Sequence, residues 1–336
     1  MRKSQSCLHD ASPDVLVIYT DDHFNTFFLD NFPTFAIGIA DQISGPNDQT
    51  AMPSYRVAGA ASLASHVRAR AVADGFDLSL VQEFDLDHSI MVPLHFLTPD
   101  MQIPIVPLFI NGLAPPLPSS QRCYALGRAV GDAIDDWPAD KRVAVIGSGS
   151  FSLEIGGPKI PPGERAGTPD PQWVKRVQDH LEHGRVGDLV EEATAARLAR
   201  AGNIGGELLN WIAMLGVVGD RKPTFIAPRS STGMPMRLGG WTDPMSIYAV
   251  NKLCREALRD AAFRAALKRD PQAAIAPLSL TEEERAALLN GDVAWLYERG
   301  AHPFLLAYLT RWELFGLTVS LYSERIRTAR EPAHAE

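Results

Sequence analysis

The chain has 336 residues, 46% hydrophobic and 21% charged, with a formal net charge of -8, a composition that suits one large globular domain and a smaller one. The negative charge argues against a nucleic-acid surface, no apolar run reaches the roughly 18 residues of a membrane helix, and residues 1–7 lack the apolar segment of a signal peptide. Three widely spaced cysteines favour a reducing compartment, so we expect a cytoplasmic protein.

Five apolar segments have the length and residue types of buried strands. They are Val15–Thr20, Leu78–Val81, Ile103–Ile110, Val143–Ile146 and Thr224–Ala227. Segments with helical spacing separate several of them, and the clearest are Val57–Ala73 and Arg122–Ile134. Strands that alternate with helices predict an α/β fold, here a mostly parallel-sheet sandwich domain with flanking helices.

The second half of the sequence predicts mainly helices. The pattern is helical from Pro171 to Val218, and again in the tail, where Thr281 and Glu284 predict a capping box. Between them, the segment 228–244 is rich in Ser, Gly, Pro and Met, which is typical of a loop. We therefore predict a large domain over 1–227, a linker or active-site loop over 228–246, and a small all-α C-terminal domain over 247–330.

Two histidines lie near the ends of predicted strands. His23 closes the turn Asp21-Asp22-His23 after the first strand, and His88 follows Asp87 shortly after the second. In parallel α/β sheets, ligands bind where strands end. Each histidine also has a structural interpretation, namely a hydrogen bond to a neighbouring aspartate.

Glu207 is a lone carboxylate within an apolar segment. On a helix it shares a face with Ile204, Trp211 and Met214, which would point it into apolar surroundings. An unpaired buried carboxylate is costly, so Glu207 should contact a cation. That cation is either an arginine or a metal, and two imidazoles with one carboxylate are typical ligands of a non-haem Fe(II) oxygenase site.

The glycine-rich segment Gly147–Ser152 follows a predicted strand, as in a dinucleotide-binding loop. Such a loop must be followed directly by a helix. Gly156-Gly157-Pro158 and Pro161-Pro162-Gly163 come next instead, which argues against a dinucleotide site.

Several segments together resemble one enzyme family. They are Ser12–Val15, Asp22–Phe28, Asp87-His88 with Val92–Leu94 close behind, and Pro107–Gly112. From about Ser12 to Ala227 the chain resembles the class III extradiol ring-cleavage dioxygenases, the family of protocatechuate 4,5-dioxygenase and gallate dioxygenase. From about Ile247 to Ile326 it resembles the small helical subunit of protocatechuate 4,5-dioxygenase, which gallate dioxygenase carries fused behind its catalytic domain.

The resemblance implies a role for each candidate residue. His23 and Glu207 would be ligands of Fe(II), His88 would bind and protonate the substrate and oxygen intermediates, and Asp22 would orient the imidazole of His23. The substrates would be O2 and an aromatic diol, such as a catechol, protocatechuate or gallate-like ring. A homodimer is the default expectation for a soluble protein, and a related dioxygenase subunit is the other expected partner.

The sequence departs from the family in two places. The family's first iron ligand is a histidine in an N-terminal Ser-His-x-Pro motif. This sequence begins too late to include that motif, so we expect a truncated N-terminus. The segment around His9 does not resemble the motif. Leu153 lies where active relatives carry a catalytic histidine in the glycine loop, and the adjacent Glu154 is a possible substitute. Two hypotheses therefore stay open: an extradiol-type dioxygenase, or a non-catalytic paralogue that partners or regulates one.

Overall fold

The protein is described by a computed structural model that covers residues 2–46, 48, 52–219, 221 and 247–330. These residues form two compact units. The first comprises 2–150, 177–195 and 206–221, and the second comprises 151–176, 196–205 and 247–330. The predicted strand Thr224–Ala227 and the predicted loop 228–246 lie outside the described residues, so the division predicted there stays a prediction.

A five-stranded sheet forms the centre of the first unit. Its strands are β1 (Val15–Thr20), β2 (Phe35–Gly38), β5 (Leu78–Val81), β6 (Ile105–Ile110) and β7 (Val143–Gly147). Their spatial order is β5-β2-β6-β1-β7. Strand β1 is parallel to both neighbours, β6 and β7, whereas β2 is parallel to β5 and antiparallel to β6.

The central position of β1 explains its composition. All six of its residues are buried, as expected for a strand that is covered on both faces. The predicted strands at β1 and β5 are confirmed at both ends, and those at β6 and β7 to within two residues. Strand β2 was not predicted, because a four-residue segment carries too little pattern to be distinguished from a loop.

The remaining strands form two short hairpins. In the first unit β3 (Gln42–Gly45) pairs with β4 (Tyr55–Ala58), and in the second unit β8 (Glu154–Ile155) pairs with β9 (Ala166–Gly167). The helix predicted over Val57–Ala73 is therefore wrong in its first residues. Val57 pairs with Ile43 across the hairpin, and the helix begins only at Ala61.

Among the described residues before 219 there are eight helices. They are α1 (Arg2–Ala11), α2 (Ala61–Ala73), α3 (His88–Leu97), α4 (Ser120–Asp135), α5 (Pro171–His183), α6 (Val186–Glu192), α7 (Ala195–Arg200) and α8 (Leu208–Val218), with a 3-10 turn at Gly205–Glu207. Helices α4 and α8 touch through their backbones: a Cβ atom on Gly127 would lie 1.9 Å from the carbonyl oxygen of Ala213. Only glycine permits this approach.

The tail of the second unit is helical. Its elements are α9 (Tyr248–Arg259), α10 (Ala261–Arg269), α11 (Pro271–Ile275), α12 (Glu282–Leu289), α13 (Val293–Glu298), α14 (Pro303–Tyr308) and α15 (Val319–Ile326), with 3-10 turns at Leu309–Trp312 and Leu314–Gly316. The predicted capping box is confirmed, since Thr281 and Glu284 each accept the other's backbone N–H. The predicted fold class is confirmed as well: a mixed α/β fold with a mainly parallel sheet and a helical C-terminal region. Within the described ranges, no helix combines the length and apolar character needed to cross a membrane.

Candidate metal centre

The candidate site lies in the first unit, where three parallel strands end. Strand β1 leads into Asp21–His23, β6 into Asn111-Gly112 and β7 into Ser148–Ser150. Because carboxyl ends of parallel strands share one edge of a sheet, these segments meet there. The start of α3, Asp87–Ser89, joins the same edge: Ser89 Oγ lies 3.0 Å from the carbonyl oxygen of Asp21.

His23 is buried between two carboxylates. Its Nδ1 lies 3.1 Å from Oδ2 of Asp87, and its Nε2 lies 3.2 Å from Oε1 of Glu207. The structure thus brings together two residues, His23 and Glu207, that are 184 positions apart in the sequence. Glu207 contacts an imidazole, rather than the arginine that was the alternative partner.

The distance between His23 Nε2 and Glu207 Oε1 fits two ligands of a single ion. With metal–ligand bonds of roughly 2.1 Å, two ligand atoms lie about 3.0 Å apart at a right angle and about 3.4 Å apart at a tetrahedral angle. The observed 3.2 Å falls between these values. Imidazole nitrogen and carboxylate oxygen are also a suitable pair for Fe(II) and neighbouring divalent metals.

The glycine loop after β7 holds Glu207 in place. The backbone N–H of Ser150 donates to Glu207 Oε2 at 2.5 Å. Gly149 has φ +141°, and a Cβ atom on it would lie 2.6 Å from Cβ of Glu207. The loop therefore needs glycine at this position, both for its backbone conformation and for its contact with Glu207.

Asp87 orients the imidazole of His23. Its Oδ2 accepts the backbone N–H of His23 at 2.9 Å and contacts Nδ1, while its Oδ1 accepts the backbone N–H and the hydroxyl of Ser89. A carboxylate on Nδ1 keeps the proton there and leaves Nε2 open to a metal. Ligand atoms of His23, Asp87 and His88 also lie within 4.8 Å of one another, but both oxygens of Asp87 are already occupied as acceptors.

The carboxylates of Asp87 and Glu207 favour the charged form of His23. Burial alone lowers the pKa of an imidazole, but Asp87 and Glu207 outweigh it and raise the pKa of His23 well above its usual value. The pKa of Asp87 is lowered, because His23 and the hydrogen bonds outweigh the effect of burial. Without a metal the charged form of His23 is therefore favoured, and a metal that binds at Nε2 competes with a proton there.

His88 lies beside His23, with ring centroids 4.4 Å apart. Its Nδ1 contacts Oδ2 of Asp48 at 2.5 Å, and its backbone N–H donates to Oδ1 of the same residue at 3.0 Å. Its side chain is 27% exposed, whereas the Asp48 side chain is 3% exposed. His88 thus meets the site from the side that solvent can reach.

Asp22 shapes the loop that follows β1. Its carboxylate accepts backbone N–H groups of Asn25, Thr26 and Phe27 at 2.8 to 3.1 Å. Burial and the nearby Asp87 raise its pKa to about 7. The carboxylate on the His23 ring is that of Asp87, so the structure assigns to Asp87 the contact that the sequence predicted for Asp22.

Asp21 is buried deeper in the same turn. No donor within the described residues meets either of its carboxylate oxygens with hydrogen-bond geometry, although the backbone of Gly112 comes close. Burial, and then the Glu207 carboxylate, raise its pKa well above the usual value. Burial and Glu207 therefore favour the neutral form of Asp21, which avoids a further negative charge beside Glu207.

Leu153 and Glu154 belong to the second unit. The carbonyl oxygen of Leu153 accepts the backbone N–H of Ile204 at 3.0 Å, and Glu154 is buried, with Oε2 accepting the backbone N–H of Asn203 at 3.0 Å. Both residues thus have structural contacts inside that unit, and the roles considered for them stay predictions. His9 lies on α1 with its side chain 88% exposed.

Sequence reasoning missed Asp87 and Asp48 as partners of the two histidines. Asp87 was noted only as a neighbour of His88, although its carboxylate contacts His23, 64 positions away. Asp48 was not considered, and it is 40 positions from His88. Neither pairing leaves a local signal, because each depends on how separate segments pack.

The chain matches two known protein families. Residues 2–235 match the family described as the catalytic LigB subunit of aromatic ring-opening dioxygenase. The chain belongs to this family. Residues 250–321 match a second one, the LigA subunit of the aromatic-ring-opening dioxygenase LigAB.

Individual relatives within the LigB family carry two kinds of name. A 2,3-dihydroxyphenylpropionate/2,3-dihydroxicinnamic acid 1,2-dioxygenase of Klebsiella pneumoniae is 30% identical over 61% of this chain and 76% of its own length. A gallate dioxygenase of Pseudomonas putida is 33% identical over 54% of this chain and 50% of its own length. A further 2,3-dihydroxyphenylpropionate/2,3-dihydroxicinnamic acid 1,2-dioxygenase, from Paraburkholderia xenovorans, is 35% identical over 57% of this chain and 55% of its own length. The chain is therefore similar to dioxygenases that are named for aromatic acids with adjacent ring hydroxyls.

Proposed function

We propose that this chain is an Fe(II)-dependent extradiol-type dioxygenase that opens a catechol, protocatechuate or gallate-like ring with O2. The observation that carries the proposal is the 3.2 Å separation of His23 Nε2 and Glu207 Oε1, in a chain of the LigB family. Non-haem Fe(II) oxygenase sites use two histidines and one carboxylate, and His23 and Glu207 supply one ligand of each type.

The residues of the site have distinct tasks in this proposal. Bound Fe(II) would bring the diol and O2 together and shift charge between them. His23 and Glu207 would hold the ion, and Asp87 would keep the proton of His23 on Nδ1. The backbone N–H of Ser150 would fix the second oxygen of Glu207, so that Oε1 stays directed at the metal.

His88 is the proposed acid and base. Its ring stacks at a tilt of 39° on the proposed ligand His23, which places it close to a substrate bound at the same ion. An imidazole titrates near neutrality and so can accept a proton from a diol hydroxyl and return it later. Its partial exposure gives it access to the substrate and to solvent protons.

The substrate class and the assembly follow from the relatives. Their names point to single-ring diols that carry an acidic side chain, and the LigA match over 250–321 supports a protocatechuate or gallate-like ring. Since LigA and LigB are described as subunits, we propose a homodimer or a complex with a related dioxygenase subunit.

Anaerobic loading with Fe(II), followed by O2 uptake, tests the proposal. Catechol, protocatechuate, gallate and 2,3-dihydroxyphenylpropionate are the substrates to compare. We expect one of them to consume one O2 per ring, and His88→Gln to reduce kcat by roughly 10²- to 10⁴-fold. His183→Gln is the matched control, because His183 is 58% exposed on α5 and should leave kcat unchanged.

Two results would contradict the proposal. Iron binding without O2 uptake on any of these diols would argue against ring opening. If the chain neither binds iron nor consumes O2, the alternative of a non-catalytic paralogue that partners an active dioxygenase would replace it.

A further inference from the structure

We infer that Asp48 is a positioning residue that fixes the proton of His88 on Nδ1 and so leaves Nε2 as the working atom of the site. This inference rests on the proposed role of His88 as acid and base. It concerns a carboxylate that lies outside the helix carrying His88.

The contact between the two residues uses both oxygens of the carboxylate. Oδ1 accepts the backbone N–H of His88 at 3.0 Å, and Oδ2 contacts Nδ1 of the ring at 2.5 Å. An ionised carboxylate can only accept hydrogen bonds, so a neutral His88 must donate from Nδ1. Among the described residues no group hydrogen-bonds to Nε2 of His88, and this nitrogen carries the lone pair.

Burial makes the contact strong and specific. The Asp48 side chain is 3% exposed, and that of His88 is 27% exposed. Water therefore competes poorly for the Asp48 carboxylate, while part of the His88 side chain stays accessible. The backbone contact to His88 also fixes the carboxylate at the N-terminus of α3, so its two oxygens cannot exchange roles freely.

The fold brings Asp48 to this position through the hairpin of β3 and β4. Asp48 lies in the connection between these strands. The hairpin in turn attaches to the segment before α3, because the N–H of Leu86 donates to the carbonyl of Ser44 at 2.8 Å. A Cβ atom on Gly45 would lie 2.3 Å from the carbonyl oxygen of Leu86, so glycine is needed for this close approach.

The two histidines of the site thus have parallel arrangements. Asp87 contacts Nδ1 of His23, and Asp48 contacts Nδ1 of His88. In both cases Nε2 is the atom left for chemistry: it faces Glu207 in His23, and it is the proton-transfer atom in His88.

Replacing Asp48 by asparagine should reverse the tautomer of His88. Asparagine offers a single acceptor oxygen, and the backbone N–H of His88, which can only donate, takes it. The amide NH2 group then faces Nδ1 and donates to it, so the ring proton moves to Nε2. A base whose acceptor nitrogen is blocked loses activity, and the same carboxylate-to-amide change in a Ser-His-Asp triad costs about 10⁴-fold in kcat through the wrong tautomer.

Nitrogen-15 NMR of the histidine side chains in the full-length metal-free chain measures this tautomer directly. His88→Gln identifies the His88 signals by their loss. We expect wild type to carry the proton on Nδ1, Asp48→Asn to carry it on Nε2, and Asp48→Ala to show a mixture. Asp77→Asn is the control, since the Asp77 side chain is fully exposed, and it should leave the His88 signals unchanged.

Kinetics of the iron-loaded chain provide a second readout. For Asp48→Asn we expect kcat to fall by roughly 10²- to 10⁴-fold while KM for the diol stays within a few-fold. The Fe(II) stoichiometry serves as the control for folding. An unfolded variant would bind less metal, whereas a folded Asp48→Asn chain should bind as much Fe(II) as wild type.

The outcomes separate this inference from the proposed function. A reversed tautomer in Asp48→Asn supports the positioning role of Asp48. This holds even if the chain cleaves no diol, because failure to cleave a diol would overturn only the proposed function. An unchanged tautomer in Asp48→Asn overturns the inference about Asp48 and leaves ring cleavage, if observed, intact.

Discussion

Asp87→Asn is the substitution that most sharply tests how the site holds a metal. The carboxylate of Asp87 receives the backbone N–H and Nδ1 of His23 on one oxygen, and the backbone N–H and hydroxyl of Ser89 on the other. Asparagine keeps the volume of the side chain but has one acceptor oxygen in place of two. Its NH2 group must therefore face either His23 or Ser89.

Each orientation has a defined cost. If the NH2 group of the new asparagine faces Ser89, the first turn of α3 loses its cap. If the NH2 group faces His23, it meets the backbone N–H of His23 and shifts the ring proton to Nε2. Either way one buried donor loses its acceptor, which costs about 1 to 3 kcal/mol of the free energy of unfolding. Loss of the carboxylate that supports a metal-binding histidine lowers metal affinity by roughly 10- to 100-fold, or about 1.4 to 2.8 kcal/mol.

Two assays separate these effects. Anaerobic Fe(II) titration of the metal-free chain gives the affinity, and urea unfolding of the same sample gives the free energy of unfolding. Asp85→Asn, at an exposed aspartate two positions away, should change neither quantity. An Asp87→Asn variant with both the Fe(II) affinity and the free energy of unfolding of wild type would refute the contacts assigned to Asp87.

Three further predictions follow from the same structure. Gly149→Ala should displace Glu207 and lower Fe(II) affinity at least tenfold, with about 1 to 3 kcal/mol of backbone and steric strain. Gly187→Ala, within α6 and with open space around its Cβ, should leave Fe(II) affinity unchanged and raise the free energy of unfolding by about 0.5 to 1 kcal/mol. Because the pKa of His23 is raised, Fe(II) affinity measured by chelator competition should increase about tenfold per pH unit below that pKa, and a flat profile would show that no proton leaves His23. A thiol reagent should modify only the exposed Cys7 in the native chain, since the other two cysteines are buried with raised pKa, and all three after unfolding; a second rapid reaction in the native chain would contradict the buried positions.

The sequence predicted the parts of the fold that are encoded locally. Strand β1 is apolar throughout and was found at its observed ends, because a strand buried on both faces needs such a composition. The capping box at Thr281 and Glu284 is equally local. The last two residues of β4, Val57 and Ala58, were assigned to a helix, because their strand conformation depends on pairing with β3, which no local pattern reveals.

In the candidate site, too, the sequence predicted residues with a local signal and missed those whose contacts join distant segments. His23, His88 and Glu207 were predicted as site residues because each lies in an unusual local context, at a strand end or within an apolar segment. Asp48 and Asp87 were missed as partners because their contacts join segments 40 and 64 positions apart. The backbone N–H of Ser150, which holds Glu207, has no side-chain signature at all.

The most direct test of the account is anaerobic Fe(II) titration of wild type beside Glu207→Gln and His23→Gln, with Glu191→Gln on the exposed face of α6 as the control. We predict one Fe(II) per chain in wild type and in the control, and loss of at least 10-fold in affinity in both site variants. Wild-type affinity in Glu207→Gln or His23→Gln would contradict the claim that Nε2 of His23 and Oε1 of Glu207 hold a single metal ion.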